Sequence, residues 1–303
     1  MNSQSNVIPE SFDSPRIAPA AMSPTRPLYW SVRRELWENR YIYIAPLAVA
    51  VVMLFGFLIA TLGYAMSVDP ARRAAVLAEP TDFAALLIMG VAFVVGMFYC
   101  LDALHGERRD RSILFWKSLP VSDLTTVLSK ATIPLVVVPL LSFGLTVATQ
   151  WIMLLLSTAV LLGSGQSVAP LWTHMPLFQM SLMLLYHLLA VHVLWYAPIY
   201  GWLLLVSGWA RRAAFLWAAL PWVAICVVEK IAFHTSRFAA FLGYRFSGGA
   251  AGGSFVGDSA SMDPMMQLTP GNFLPTPGLW IGLAVFAACI AASVRLRRYQ
   301  GPI

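Results

Sequence analysis

Charged side chains are scarce in this sequence. They make up 11% of its 303 residues, against about a quarter in an ordinary soluble domain, and so few cannot clothe a water-soluble fold. Cysteine is scarce as well. Cys100, Cys226 and Cys289 all lie inside apolar stretches, with neither the even count nor the loop placement of a disulfide framework, and they read as packing residues. Missing altogether are a G-x-x-x-x-G-K-[ST] phosphate loop, a G-x-G-x-x-G turn and an H-E-x-x-H pair. The chain is therefore not expected to be an enzyme, and no cofactor or metal is expected to be bound by it.

What is present is hydrophobic: 59% of the residues, gathered into six runs at 41–66, 83–101, 131–162, 177–206, 215–231 and 279–294. A bilayer core takes about 20 apolar residues as helix, so the expected fold is all-α, a polytopic integral membrane protein with six transmembrane helices. Pro134, Pro139 and Pro198 fall inside the third and fourth runs, where a membrane helix kinks and finds other partners for the freed carbonyls. No internal repeat is visible.

The net charge of +6 sits at the ends of these runs, which favours a membrane surface over nucleic acid as the partner. With the amino end inside, the inner segments hold fifteen of the 20 Lys and Arg residues and the outer ones hold five: Arg72, Arg73, Lys230, Arg237 and Arg245. This bias places both termini in the cytoplasm, and the expected location is a bacterial inner membrane.

Residues 1–27 are rich in Ser and Pro with no apolar core and read as a disordered tail. Residues 28–40 follow as an amphipathic helix on the membrane surface, with Trp30, Leu36 and Trp37 in its apolar arc and Arg34 on its polar side. Arg33 and Arg40 fall in the apolar arc, where long side chains snorkel to the headgroups; the alternative is a charged stop before the first span. Residues 41–303 form the transmembrane domain, with a large last outer loop at 232–278. That loop opens with a moderately apolar piece at 237–246, expected to be a short helix, and continues through Gly- and Ser-rich residues at 247–261.

Three ionisable residues are candidates for a polar pathway. His187 and His192 are five apart in the fourth run, about 140° around a helix, which disfavours a metal pair; each either lines a pathway or is hydrogen-bonded between helices. Glu229 is either a proton or cation site or a residue at the membrane boundary beside Lys230.

The inner loop 102–130 is the most informative segment. Glu107, Arg108, Arg109, Asp110 and Arg111 precede an apolar cluster, Ile113, Leu114, Phe115 and Trp116, followed by Lys117 and a stop at Pro120. Ser122 or Asp123 is placed to cap the next helix. A stop-transfer loop needs the arginines but not the aromatics, so the cluster reads either as a docking element or as a helix lying on lipid headgroups.

The run from Gly106 to Val121, directly after the second apolar stretch, resembles the E-R-x-x-G-[ST]-[IL]-x-x-x-x-[SL]-L-P-[VI] segment of permease subunits of type-2 ATP-binding-cassette exporters. An amino-terminal interfacial helix, six spans and a large last outer loop are similar to that family too. The resemblance implies that Glu107, Arg108, Phe115, Trp116 and Pro120, with Arg109, Arg111 and Lys117 beside them, form a coupling helix on a separate ATPase subunit. That subunit, in two copies, would hold ATP and Mg, and a second permease half, identical or related, would complete the path. Arg111 departs from the pattern, which often has glycine there. The rival expectations are a proton- or ion-coupled secondary transporter, with Glu229, His187 and His192 as its relay, and a membrane scaffold that transports nothing.

Overall fold

The computed structural model describes residues 25–63, 70–118, 121–163, 165, 167–174, 177–246, 276–301 and 303. Most of the expected tail, Pro120, the Gly- and Ser-rich part of the last loop and the His187 side chain lie outside the described residues. Every regular element among those described is helical. Helix α1 (Thr25–Glu38) ends where Asn39 turns back on it, its backbone and side-chain N–H groups both donating to Glu35 O at 2.9 and 3.0 Å. These bonds satisfy a carbonyl that a helix end leaves open, and α2 (Tyr41–Gly63) starts almost at once. After α3 (Pro70–Ala103) come two short helices, α4 (His105–Arg109) and α5 (Ser112–Ser118). Helix α6 (Asp123–Thr132) is capped by Ser122, whose Oγ accepts from Thr125 N at 3.1 Å, as the Ser-Asp pair at its start predicts.

The prolines act on helical register. Between α6 and α7 (Val138–Gly163), residues Ile133–Val137 form a π-helical turn in which Val138 N–H donates to Ile133 O, five residues back. Pro139 has no N–H to give and its ring crowds the carbonyl four residues earlier; the wider turn accommodates both without breaking the element. The fourth apolar run is divided more thoroughly. After α8 (Ala169–His174) it consists of α9 (Leu177–His187), a π-helical segment Leu188–Trp195 and α10 (Ala197–Trp209), with Pro198 in the first turn of α10. Helices α11 (Ala214–Phe233), α12 (Arg237–Phe246) and α13 (Pro277–Tyr299) are the remaining helices among the described residues.

Five helical stretches are long and apolar enough to cross a membrane: Tyr41–Thr61, Pro80–Arg109, Asp123–Gly163, Ala214–Phe233 and Pro277–Tyr299. The expected fourth crossing is present only in its three pieces. The last helix is longer than its apolar run, because Arg295, Arg297 and Arg298 continue it.

Helices α2, α3 and α7 pack on one another, and α10 packs along α13 and against α3. Close approach of α10 to α13 depends on Gly201, where an added Cβ would stand 2.8 Å from Phe286 Cδ2 and 3.3 Å from Cys289 Cβ; small residues at such crossings let membrane helices touch. The larger core, with Tyr99, Cys100, Leu104, Val127, Ile133, Tyr200 and Leu204, lies toward α1, whose Val32 and Leu36 pack against it. A second core joins Phe57, Ala84, Leu154, Leu161 and Leu171. Cys100, Cys226 and Cys289 are all free thiols. Helix α11 buries little beyond Ala214 and Ala218.

Candidate functional site

Helices α4 and α5 are fixed from several sides. Ser207 of α10 accepts from the backbone N–H of Leu104 at 3.0 Å and of His105 at 2.9 Å, covering donors that the amino end of α4 leaves open. The His105 ring is 3.2 Å from Ala210 O. Arg108 points inward: its Nη1 donates to Gly208 O at 2.6 Å at the carboxyl end of α10, and its Nε to Gly301 O at 3.3 Å. A cation there also complements the negative end of the helix dipole.

Glu107 is the centre of a buried ionic cluster. It is 8% exposed and meets three cations: Arg297 from α13, Lys130 from α6 at 3.2 Å and Arg34 from α1 at 3.3 Å. Glu35, 2% exposed, takes the same Lys130 at 2.9 Å, Arg34 at 2.7 Å and the Tyr99 hydroxyl at 2.9 Å. Arg297 reaches on to Asp123 at 3.2 Å. Three carboxylates thus face three cations, drawn from α1, α4, α6 and α13, with Tyr99 of α3 as a neutral donor. Burial raises the Glu35 carboxyl, but the Lys130 ammonium, its hydrogen bond and Arg34 outweigh that effect and hold Glu35 below its ordinary value.

Such a cluster ties its elements to one another. Breaking one partner out of a buried pair costs about 3–5 kcal/mol, so α4 cannot shift without carrying α1, α6 and α13 or paying that cost. The outward face of α5 has a different character. Ile113 is buried beneath it, while Leu114 and Phe115 are 58% and 59% exposed, and Arg109, Asp110, Arg111 and Lys117 of the same segment are exposed too, Arg109 paired with Asp110 at 3.1 Å. Trp116 is half-buried: the Arg34 guanidinium sits 3.6 Å over its ring, and Phe115 packs edge-on at 4.9 Å. Lys117 donates to Gln300 O at 3.0 Å. Arg111 lies in the left-handed region at φ 60°, the conformation in which glycine is least strained.

Of the residues that the sequence groups as one docking surface, the structure therefore turns Glu107 and Arg108 inward and leaves Phe115, Arg109, Arg111 and Lys117 outward, with Trp116 between the two. Of the polar-pathway candidates, His192 and Glu229 have described side chains. His192 is buried and shares a hydrogen bond of 3.0 Å with Tyr200, with the Phe93 and Tyr196 rings around it. Glu229 accepts from Thr235 Oγ1, Arg237 N and Phe238 N at 2.7, 2.7 and 2.8 Å, which caps the amino end of α12. Among the described residues no three His, Cys, Asp or Glu side chains are grouped to hold a metal ion.

Glu35, Tyr99, Asp123, Lys130 and Arg297 escape the sequence reading as a group. Lys130 and Arg297 count there only as inner-side basic charges, and the one available signal is that Glu35, Glu107 and Asp123 sit in the short segments where basic residues are expected to dominate. Comparison with protein-family models, with curated proteins and with solved structures finds no match to the chain.

Proposed function

We propose that this chain is the membrane-spanning permease half of an ATP-driven exporter, with α5 docking a separate ATP-hydrolysing subunit. In this reading the five long apolar helices and the divided stretch from α9 to α10 make six crossings of a bacterial inner membrane. Both termini and the α4–α5 pair then lie in the cytoplasm. Two halves, identical or related, enclose the path, and two ATPase subunits carry ATP and Mg.

The observation that carries the proposal is the division of labour within one short segment. Leu114 and Phe115 form an exposed apolar tip in a segment that also exposes Arg109, Asp110, Arg111 and Lys117, while Glu107, five residues before α5 begins, is locked to three other helices. A lipid-surface helix needs an apolar face but no such lock. A coupling element needs both, because force received at the tip must reach the spans. Movement of α5 is passed through Glu107 to Lys130 on the third apolar helix and Arg297 on the last, and through the shared Lys130 to α1. The ion-coupled alternative loses ground, since Glu229 is spent on capping α12.

Isolation of the chain from native membranes tests the proposal. The expected result is a complex with a subunit that has a phosphate loop, and no ATP hydrolysis by the isolated chain. Recovery of the chain without an ATP-binding subunit, or ATP hydrolysis by the chain alone, contradicts it.

A further inference from the structure

Helix α1 has an exposed stripe that the bundle does not use. Arg26, Trp30, Arg33 and Trp37 follow one another at spacings of four, three and four, which keeps them on one face, and Arg40 is exposed in the turn just after the helix. Trp30 and Trp37 are 58% and 70% exposed, and the three arginines are exposed between and beside them. The Arg33 guanidinium lies 5.2 Å from the Trp30 ring centroid and 5.5 Å from that of Trp37, so two indoles bracket one cation. Among the described residues none of these three arginines forms an ion pair.

The acids of α1 are placed elsewhere. Glu35 is turned into the buried cluster, and Glu38 lies on the flank, 3.4 Å from Arg34. The ion pair of Glu35 with Lys130, the stacking of Arg34 on Trp116 and the packing of Val32 and Leu36 on the core all prevent α1 from rolling. The stripe is therefore held outward. Immediately after Arg40 the first apolar helix begins, with Tyr41 and Tyr43 partly exposed at its start, as aromatic residues are at a membrane interface.

We propose that this stripe binds the headgroups of anionic phospholipids. The ligand chemistry follows from the charges: two guanidinium groups on the stripe and a third in the turn after it, with no acid on the same face, suit a phosphodiester of net negative charge better than a zwitterionic headgroup whose ammonium they repel. Arginine forks take phosphate oxygens in pairs, and tryptophan settles at the level where headgroup meets acyl chain. The indoles beside Arg33 hold its plane and exclude water from one side, so the fork presents its free edge to the phosphate. This inference requires only that the chain lies in a membrane, not that it belongs to an exporter.

The test is photo-crosslinking of the full chain in nanodiscs of phosphatidylcholine containing a minor fraction of phosphatidylglycerol. One of the two lipids carries a photoactivatable headgroup in each arm, and labelled peptides are mapped. The expected result is that the peptide holding residues 26–40 takes the phosphatidylglycerol probe in preference to the phosphatidylcholine probe. The preference should fall about fivefold for each of Arg26→Gln, Arg33→Gln and Arg40→Gln, the size expected of one basic residue near an anionic surface. Trp30→Ala with Trp37→Ala keeps every charge and should lower the preference about two- to fivefold through the lost ring contacts. Arg211→Gln with Arg212→Gln, on a different exposed loop, should leave labelling of this peptide unchanged. All the substituted side chains are exposed, so the thermal transition should stay at the wild-type value. Equal labelling by the two probes in the wild type, or a wild-type preference in the triple arginine variant, overturns the proposal.

Discussion

Replacing Lys130 by methionine keeps the length of the side chain and removes one charge from the centre of the ionic cluster. In the wild type three carboxylates, Glu35, Glu107 and Asp123, balance three cations, Arg34, Lys130 and Arg297, with the exposed Glu38 at the rim 3.4 Å from Arg34 and outside this count. Lys130→Met leaves three against two, with both glutamates buried. Each lost pair spans about 3 Å, for which Coulomb attraction at an effective dielectric of 20 is about 5 kcal/mol; desolvation of the ammonium offsets much of this. The measured cost of breaking a buried pair, about 3–5 kcal/mol, is the expected destabilisation, a large share of a typical folding free energy of about 5–15 kcal/mol. The assay is reversible unfolding in lipid nanodiscs. Combining Lys130→Met with Glu35→Gln restores the balance, two against two, and leaves Glu107 with Arg34 and Arg297. The double variant should therefore be more stable than Lys130→Met alone by about 2 kcal/mol, since neutral replacement of a whole buried pair is close to neutral. A single variant within about 1 kcal/mol of wild type, or a double variant less stable than the single, would refute the reasoning.

Three further outcomes are expected. Glu35 has a folded value below its ordinary 4.5, so its contribution is complete above 4.5 and is lost as pH falls through the depressed value; unfolding measured from neutral to acid pH should show this loss, and Glu35→Gln should flatten it. Gly201→Leu should destabilise by about 3 kcal/mol by forcing α10 from Phe286 and Cys289, read in the same unfolding assay. Arg111→Gly should stabilise by about 1 kcal/mol in the isolated chain because its φ of 60° costs arginine more than glycine, read in the same unfolding assay.

The long apolar helices, α1, α12 and the capped start of α6 were legible in the sequence because each leaves a local pattern: a hydrophobic run, an arc of aromatics, or a serine before an aspartate. The prolines marked the right places, and the structure adds that Pro134 and Pro139 produce a π-helical turn while the run with Pro198 is divided. The backbone at Arg111 left no such pattern, since arginine stands in the left-handed region at φ 60°, where glycine is least strained. The ionic cluster left no such trace. Glu35 and Lys130 are 95 positions apart and Glu107 and Arg297 are 190 apart, so their pairing depends on how helices come together, and single-sequence patterns carry nothing of that. For the same reason Glu107 and Arg108 read as surface charges beside the apolar tip, when in fact they anchor it.

Retention of an ATP-hydrolysing subunit by tip variants tests the central claim most directly. Leu114→Ala with Phe115→Ala removes the exposed apolar tip while Glu107 and its partners stay in place, so the fold should survive. If the tip fills a cleft on the ATPase, the loss of a dominant contact is worth about 2 kcal/mol or more, or roughly thirtyfold in affinity. The account predicts that the wild-type chain purifies from native membranes with the subunit bound and that the double variant loses it. Equal retention by the wild type and the double variant would contradict the account.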